Sequence, residues 1–524
     1  MEHGSYLSVL PPSFASALGL VLLLKASLLL SLLYFIGGAV YNVYFHPLSK
    51  YPGPKYAAAS KAPYRFIATR GDLVHWTHAQ HQRYGPVVRL GPNQLSYISG
   101  RAFKEIYGHR TGGKKVVIKD PDVYLPELNG KHHIVSIHDD EAHGPYRRVF
   151  SPAFSDKALK AQESLIRTYA DKLVDNIRAK AGDWYNAVKL YNCTTFDIMA
   201  DLTFGESLGL LDNGQYWPWV EAIFQGIKVL DLRGAGSEFP LLRPLLGALI
   251  PKKLLAGARD NFQFAVDRVN KRIARHESGE DKGRPDIWGL TLEGKGKELL
   301  TLDDMHANGS VFMLAGTETT ATLLSGLTYH LLKNPDKMRR VVDEVRALER
   351  EEDLNLEGLR RLKYMSACFE EALRCYPPVP IMQPRVSPEG GMAIEGEWVP
   401  GGTKIGCSHW AAYHSESNFE RADEFIPERW LPESSFPGDK KEALNPFLLG
   451  PRSCLGKKQV SPEPFYEPST NKFSLAYHEM RIILAKVLWH FDLELSPESE
   501  NWTDQKVWIL WDKVPLLVRA KPVR

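Results

Sequence analysis

The sequence lacks the cysteine pattern of a disulfide framework or a structural zinc site. Its 524 residues include five cysteines, an odd number, and no two of them form a C-x-x-C pair. Disulfide-rich and zinc-stabilised classes of protein are therefore not expected. The pattern fits a reducing compartment, in which a single cysteine can carry chemistry.

An excess of charge of one sign is also lacking. The 65 basic and 62 acidic residues leave a net charge of +3, so we expect no nucleic acid as a partner. The chain has no internal repeat and no G-x-G-x-x-G fingerprint at the start of a βαβ unit. It is therefore not expected to bind a nicotinamide dinucleotide itself.

A long apolar run near the N-terminus predicts a membrane anchor. Ala26–Phe45 is twenty residues without a charge, and a helix of about 20 residues crosses the hydrocarbon core of a bilayer. A cleaved signal peptide is the alternative, but its apolar region is normally shorter. We expect an uncleaved anchor over residues 1–46, a stiff proline-rich hinge over 47–55 and a single folded domain over 56–524.

The periodicity of that domain predicts a mainly α fold with small β-sheets (α+β). Thr301–Leu332 is free of proline, opens on a capping box with aspartate as the acid, and is apolar enough to be a buried central helix. Short strands are expected over 376–410 and a sheet-like segment over Val507–Val518. The charged, glycine-containing stretch 272–299 is predicted to be an exposed connection.

The most specific motif surrounds the last cysteine. Phe447, Gly450, Arg452, Cys454 and Gly456 form F-x-x-G-x-R-x-C-x-G, a match that chance gives a chain of this length about once in ten thousand. It resembles the haem-ligand loop of the cytochrome P450 family. The resemblance implies a P450 fold and haem b, with the Cys454 thiolate as the iron ligand, since a thiolate favours O–O cleavage.

The chemistry of that loop fits its composition. Gly450 and Gly456 let the backbone turn tightly and approach the sulfur, so that N–H groups can bond it. Arg452 is placed to pair with a haem propionate. The alternative is an inert buried cysteine, an interpretation that we accept for the other four.

A second motif lies in the middle of the long helix. Ala315, Gly316, Glu318 and Thr319 resemble the family's oxygen-binding segment, in which small residues leave room above the iron. Glu318 and Thr319 are expected to relay protons to the bound oxygen. The alternative is that the Thr319 hydroxyl only caps the carbonyl four residues back.

Charged residues elsewhere match further family positions. The resemblance implies a buried structural network of Glu371, Arg374 and Arg429 that supports the proximal haem face. It also implies that three basic residues are propionate partners: His143, Arg147 and Arg385. A surface role is the alternative for each of those three.

Taken over nearly the whole chain, the resemblance is to fungal microsomal members of secondary metabolism, such as trichothecene-type terpenoid oxygenases. It implies hydroxylation or epoxidation of a small lipophilic terpenoid, polyketide or alkaloid with O2. Electrons are expected from NADPH through NADPH–cytochrome P450 reductase. The expected location is the endoplasmic reticulum membrane, single-pass, with the catalytic domain cytosolic. The alternatives are a non-oxygenating haem-thiolate isomerase or dehydratase and an inactive haem- or lipophile-binding protein. Neither the substrate nor the oligomeric state follows from the sequence.

Candidate pocket residues follow from the same comparison with the family. The loop 111–142, Phe312, Ala315 and Val379–Met382 are expected to line the substrate pocket. The apolar region 217–251 is expected to form a lid near the membrane.

One segment departs from the family pattern. In the family the cysteine loop runs directly into a helix, whereas here residues 459–473 intervene before the pattern resumes at Ser474. Three prolines forbid a regular helix in this insertion. It is either a loop on the proximal face or an unspliced in-frame intron, and we favour the intron.

Overall fold

The structure is a computed structural model that describes residues 12–110, 116–214, 243–248, 250–281, 283–294, 296–457 and 474–524, with a few isolated positions between 226 and 241. The first helices are α1 (Pro12–Tyr44), α2 (Lys55–Ala59), α3 (Ala62–Thr69), α4 (Leu73–Tyr84), α5 (Gly100–Tyr107), α6 (Asp140–Phe150), α7 (Asp156–Arg178), α8 (Ala187–Phe204) and α9 (Leu210–Asn213). They are followed by α10 (Arg243–Ala248), α11 (Lys252–Glu277), α12 (Ile287–Glu293), α13 (Gly296–Leu299), α14 (Leu302–Lys333), α15 (Pro335–Arg346), α16 (Leu356–Leu359), α17 (Lys363–Cys375), α18 (His409–Tyr413) and α19 (Leu475–His490).

The strands form small sheets beside this helical body. They are β1 (Val87–Gly91), β2 (Gln94–Tyr97), β3 (Ile118–Lys119), β4 (Trp184–Asn186), β5 (Arg385–Val386), β6 (Met392–Ile394), β7 (Glu397–Val399), β8 (Lys404–Cys407), β9 (Phe491–Leu495) and β10 (Leu517–Pro522). The strand orders are β1-β2-β8-β5-β3, β4-β10-β9 and β6-β7. The predicted fold class, mainly α with small sheets, is confirmed.

The N-terminal helix is suited to a membrane by length and composition. Gly19–Tyr44 spans 26 residues, reaches a mean hydropathy of 2.2 and has none of its most apolar window buried. A buried core helix is therefore excluded for this segment. The hinge after it is packed against the body, because Leu48 is buried and the Pro52 carbonyl accepts from the Arg89 N–H at 2.7 Å.

The long central helix forms as predicted. The Asp304 N–H donates to Thr301 Oγ1 at 3.2 Å and the Thr301 N–H donates to Asp304 Oδ2 at 2.9 Å, which completes the capping box. α14 then runs to Lys333, one residue before the Asn334 that caps it. It packs against α8 and α11, and its burial fixes the side chains of its middle turns.

Two local predictions are wrong. The stretch 272–299 is not an exposed connection, because α11 continues to Glu277 and α12 begins at Ile287. Trp288 is fully buried, and the Arg272 Nε and Nη2 groups donate to Asp286 Oδ2 at 3.0 and 2.9 Å. Val507–Val518 is not a continuous strand either, since it holds one isolated bridge, Val507 to Trp511, before β10.

Candidate active site

The shape of the cysteine loop is set by its backbone. Leu448 and Gly450 adopt φ values of +57° and +69°, and a Cβ on Gly450 would overlap the backbone of Tyr107 and Gly108. The Cys454 N–H donates to the Phe447 carbonyl at 2.9 Å, which closes the loop. Phe447 packs against the Tyr477 ring at 5.6 Å.

Cys454 is an exposed residue, whereas the other four cysteines are buried. Desolvation by the surrounding protein raises the pKa of the Cys454 thiol, and the backbone N–H groups of Gly456 and Lys457 oppose that rise, helped by the charge of Arg147. A Cβ on Gly456 would lie 3.5 Å from Cys454 Sγ. Backbone donors thus face the sulfur of a cysteine that is itself at the protein surface.

The helix α19 begins against this loop. The Ser474 hydroxyl donates to the Gly456 carbonyl at 2.5 Å, and the Ala476 N–H reaches the same oxygen at 3.3 Å. The residues on either side of the predicted insertion are therefore in direct contact. The insertion itself, 459–473, lies outside the described residues, as do 111–115 and most of 217–251.

A cluster of basic side chains lies beside the loop. Pairing of β3 with β5 sets Lys119 opposite Arg385, and the charges of Arg385 and Arg452, together with burial, hold the pKa of Lys119 well below its usual range. Arg452 ion-pairs with Asp140 at 2.5 Å and donates to the Ile137 carbonyl at 2.8 Å. This cluster of Lys119, Arg147, Arg385 and Arg452 is called the basic cluster below.

All four predicted propionate partners lie within or beside the basic cluster: Arg147, Arg385 and Arg452 belong to it, and His143 lies next to it. His143 is buried, and burial with the charges of Arg452, Lys119 and Arg147 lowers its pKa to about 3. Arg147 donates to the Ser453 carbonyl at 2.6 Å and to the Ser453 hydroxyl at 3.3 Å. In this structure Arg147 therefore braces the residue that precedes Cys454.

The middle of α14 divides the second motif between two faces. Ala315 is exposed and Thr319 is half-buried on one face, and the Thr319 hydroxyl donates to the Ala315 carbonyl at 2.8 Å. Glu318 points to another face, where it is buried against Lys513. The space left by Gly316 is filled by Met199 of α8, 2.6 Å from where a Cβ would stand. Glu318 and Thr319 are neighbours in sequence but contact different partners.

The predicted network of Glu371, Arg374 and Arg429 forms as a closed set of ion pairs. Arg374 donates to Glu371 through Nε at 3.0 Å and Nη2 at 2.8 Å, and Arg429 Nε donates to Glu371 at 3.1 Å. Arg429 also pairs with Asp439, and all four charged side chains are fully buried. Although burial opposes it, Arg374 and Arg429 lower the pKa of Glu371. The positive charges of the two arginines therefore balance the negative charges of the two carboxylates.

Comparison with known proteins identifies the family. The Cytochrome P450 family profile matches residues 65–519. The chain is 46% identical over 501 residues to "Cytochrome P450 monooxygenase FUM2" of Gibberella moniliformis, covering 93% of this chain and 100% of that protein. It is 43% identical to "Cytochrome P450 monooxygenase efuB" of Hormonema carpetanum, with 94% of each chain covered. It is 39% identical to "Averantin hydroxylase" of Dothistroma septosporum, with 94% and 90% covered.

The chain is a cytochrome P450 monooxygenase. The predicted family is therefore confirmed, and the isomerase and inactive alternatives find no support among relatives named as monooxygenases. The P450 family carries haem-thiolate iron. In the described part of this P450, the buried Nη2 atoms of Arg385 and Arg452 have no hydrogen-bond partner. Two unpartnered guanidinium donors beside an exposed cysteine fit the carboxylates and iron of a haem.

A cavity of this P450 lies beside the basic cluster. It is lined by apolar side chains that include Val74, Leu90, Ile381, Met382, Trp410 and Trp508. Asp120 and Pro384, the neighbours of Lys119 and Arg385, also line it. Part of the predicted segment Val379–Met382 is therefore on the cavity wall. Phe312 does not line this cavity, since its ring packs 4.9 Å from that of Phe150.

Sequence reasoning missed two residues of this P450 site. Lys119 stands in a short valine- and lysine-rich run and Lys513 in the C-terminal segment. Neither matches a motif, and the charged groups beside them, Arg385 and Glu318, are distant in sequence. Strand alternation around residue 118 is the one pattern in the sequence that bears on Lys119.

Proposed function

We propose that this P450 uses haem b to hydroxylate or epoxidise a small lipophilic secondary metabolite of the terpenoid, polyketide or alkaloid class. The observation that carries the proposal is the exposed residue Cys454, backed by N–H groups and flanked by a basic cluster with unpartnered donors. Bound haem iron would supply oxygen activation, which electron donation from the thiolate favours.

The haem would be held by residues from separate elements. Cys454 would be the ligand of the iron, and Arg385, Arg452 and His143 would be the partners of the propionates. We add Lys119 to that set because its side chain is buried beside the same arginines, where the charge of a carboxylate would favour its protonated form. Arg147 supports the loop through Ser453. Charge-assisted hydrogen bonds of this kind are about twice as strong as neutral ones.

The proposed proton relay consists of Glu318 and Thr319. The hydroxyl of Thr319 lies on the same face of α14 as exposed Ala315, which is the face on which the small residue leaves space. Glu318 is buried on the adjoining face. For protons to pass between them, the Glu318 carboxylate or a water must reach the Thr319 hydroxyl, as is usual for general acids that tighten only in the reacting complex.

The lipophilic substrate class rests on the cavity and on the anchor. Aliphatic and indole side chains make up much of the cavity wall, and pockets of that kind bind apolar molecules. The helix over Gly19–Tyr44 is long and apolar enough to cross a membrane. We place the enzyme in the endoplasmic reticulum membrane, single-pass, with the catalytic domain in the cytosol and NADPH–cytochrome P450 reductase as its electron donor.

The test is oxygen incorporation. Full-length enzyme in vesicles with reductase and NADPH is incubated with a panel of terpenoid, polyketide and alkaloid substrates under 18O2, and products are examined by mass spectrometry. One 18O atom in a product, absent without NADPH and absent in Cys454→Ser, is the expected result. A product formed without O2 or NADPH would instead support isomerase chemistry.

A further inference from the structure

A lysine near the C-terminus reaches into the middle of the central helix. The backbone of Lys513 lies in a surface loop between exposed Asp512 and Val514, whereas its side chain is only 4% exposed. Long charged side chains normally extend toward water. An ammonium turned inward indicates a specific partner inside the protein.

That partner is the acid of the proposed proton relay. The Lys513 Nζ group ion-pairs with Glu318 Oε1 and donates to the Thr322 hydroxyl at 2.7 Å. The Thr322 hydroxyl also lies 3.5 Å from Glu318 Oε1. Residues 318 and 322 are four apart and share a face of α14. The carboxylate is therefore held on the face of the helix that carries Thr322.

Burial sets the electrostatics of this pair. It raises the pKa of Glu318, and the Lys513 ammonium opposes that rise. It lowers the pKa of Lys513, and the Glu318 carboxylate opposes that fall. Tyr376 is the other titratable group whose charge interacts with Glu318. Within the described residues the second oxygen, Glu318 Oε2, has no hydrogen-bond partner.

We propose that Lys513 is a positioning residue for Glu318: it sets the place of the carboxyl group and stabilises the anion left when a proton departs. This inference rests on the proposed relay role of Glu318. The ion pair is the state after proton transfer: when the O–H bond of protonated Glu318 breaks, the proton passes toward Thr319 and the buried carboxylate that remains pairs with Lys513. Without a counter-charge such an anion is strongly disfavoured. Replacement of the proton from water then restores the starting charge.

The variants separate charge from packing. Lys513→Met removes the charge and keeps the length, and Lys513→Arg keeps the charge. Glu318→Gln with Lys513→Met removes both charges and therefore leaves no unpaired ion if the single variant fails to fold. The matched control is Lys506→Met, a lysine of the same segment whose ammonium pairs with Asp72 at the surface and is 52% exposed.

The first readout is spectroscopic and does not depend on turnover. The carboxyl C=O band that disappears in Glu318→Gln is followed by infrared difference spectroscopy as the pH of the holoenzyme is raised. In Lys513→Met the band should persist to higher pH than in the wild type, because the buried carboxylate has lost its counter-charge. Lys513→Arg and Lys506→Met should titrate as the wild type does.

The second readout is product formed per NADPH consumed. Lys513→Met should lower this ratio on the order of tenfold, less than the 10²–10⁴ that a proton-transfer group contributes. The loss in the double variant should match that in Glu318→Gln alone, since Lys513 acts through Glu318. An unchanged infrared titration in Lys513→Met, or additive losses in the double variant, would overturn the proposal. If the wild type forms no product, the proposed function fails while the infrared titration still decides the role of Lys513.

Discussion

Two buried charged clusters of this P450 differ in whether they are complete. The network of Glu371, Arg374, Arg429 and Asp439 has equal numbers of cations and anions, all fully buried and paired. In the basic cluster, Asp140 alone forms an ion pair among the described residues, and two arginine Nη2 atoms are unpartnered. Because unpaired buried charge is costly, we propose that the complete cluster is structural and that the incomplete cluster binds the anions of a ligand.

Breaking the complete network should have the largest effect on folding. Glu371→Gln leaves Arg374 and Arg429 without their shared carboxylate, so the free energy of unfolding should fall by about 3–5 kcal/mol. Denaturant unfolding of the holoenzyme measures it. Glu494→Gln is the control, because its pair with Arg519 is exposed and is worth about 0–1 kcal/mol. Equal losses in both variants would contradict the comparison.

A substitution in the basic cluster should affect haem binding more than it affects folding. Arg452→Leu should lower haem affinity roughly 10- to 150-fold, as expected for the loss of one hydrogen bond to a charged group worth about 1.5–3 kcal/mol. The haem-free protein should lose less stability than Glu371→Gln does, because Asp140, the carboxylate that Arg452 would leave unpaired, is 30% exposed and not fully buried. Haem transfer to apomyoglobin and unfolding of the apoprotein measure the two effects. A large loss of apoprotein stability would mean that Arg452 is structural.

A smaller, pH-dependent effect should come from His330, whose surroundings include Glu371 and Arg374. Its ring stacks on Phe425 at 5.0 Å, and burial lowers its pKa from 6.5 to about 3. Between those values the unfolded chain binds a proton that the folded chain does not. The free energy of unfolding should therefore fall as pH drops below about 6.5, by at most about 1.4 kcal/mol per pH unit.

The His330→Phe variant isolates that contribution. Other buried histidines titrate equally in variant and wild type, so the difference between their unfolding curves reports His330 alone. The slope of stability against pH should be shallower in His330→Phe between pH 6.5 and pH 4. Parallel curves would show that solvent reaches this side of the network.

Local signals predicted much of this architecture. The capping box at Thr301 and the glycines around Cys454 act through neighbouring backbone, so their residue types indicate their structure. Lys119 and Lys513 gave no such signal, because their charged neighbours are distant in sequence and are brought close by strand pairing and loop packing. The prediction of an exposed connection around Trp288 failed for a different reason, since an arginine and an aspartate of that stretch neutralise each other inside the protein.

In helix α14, the apolar pattern predicts burial, but the packing of neighbouring helices decides which side chains are buried. Its apolar centre predicted burial, and burial is observed. The same pattern did not distinguish Phe312, which packs on Phe150, from Ala315, which is exposed. Which face meets the core is decided by α8 and α11, and the sequence of α14 alone does not contain that choice.

The most direct test is the absorption spectrum of the reduced protein with carbon monoxide, taken for the full chain and for a version lacking Gln459–Phe473. Because Ser474 and Gly456 are already in contact, the shortened chain is expected to fold and to give the strongly red-shifted band of a haem bound by the Cys454 thiolate. The same band in the full chain would mean that the insertion is a tolerated loop, and its absence there would support a retained intron. No such band from either folded protein would contradict the account.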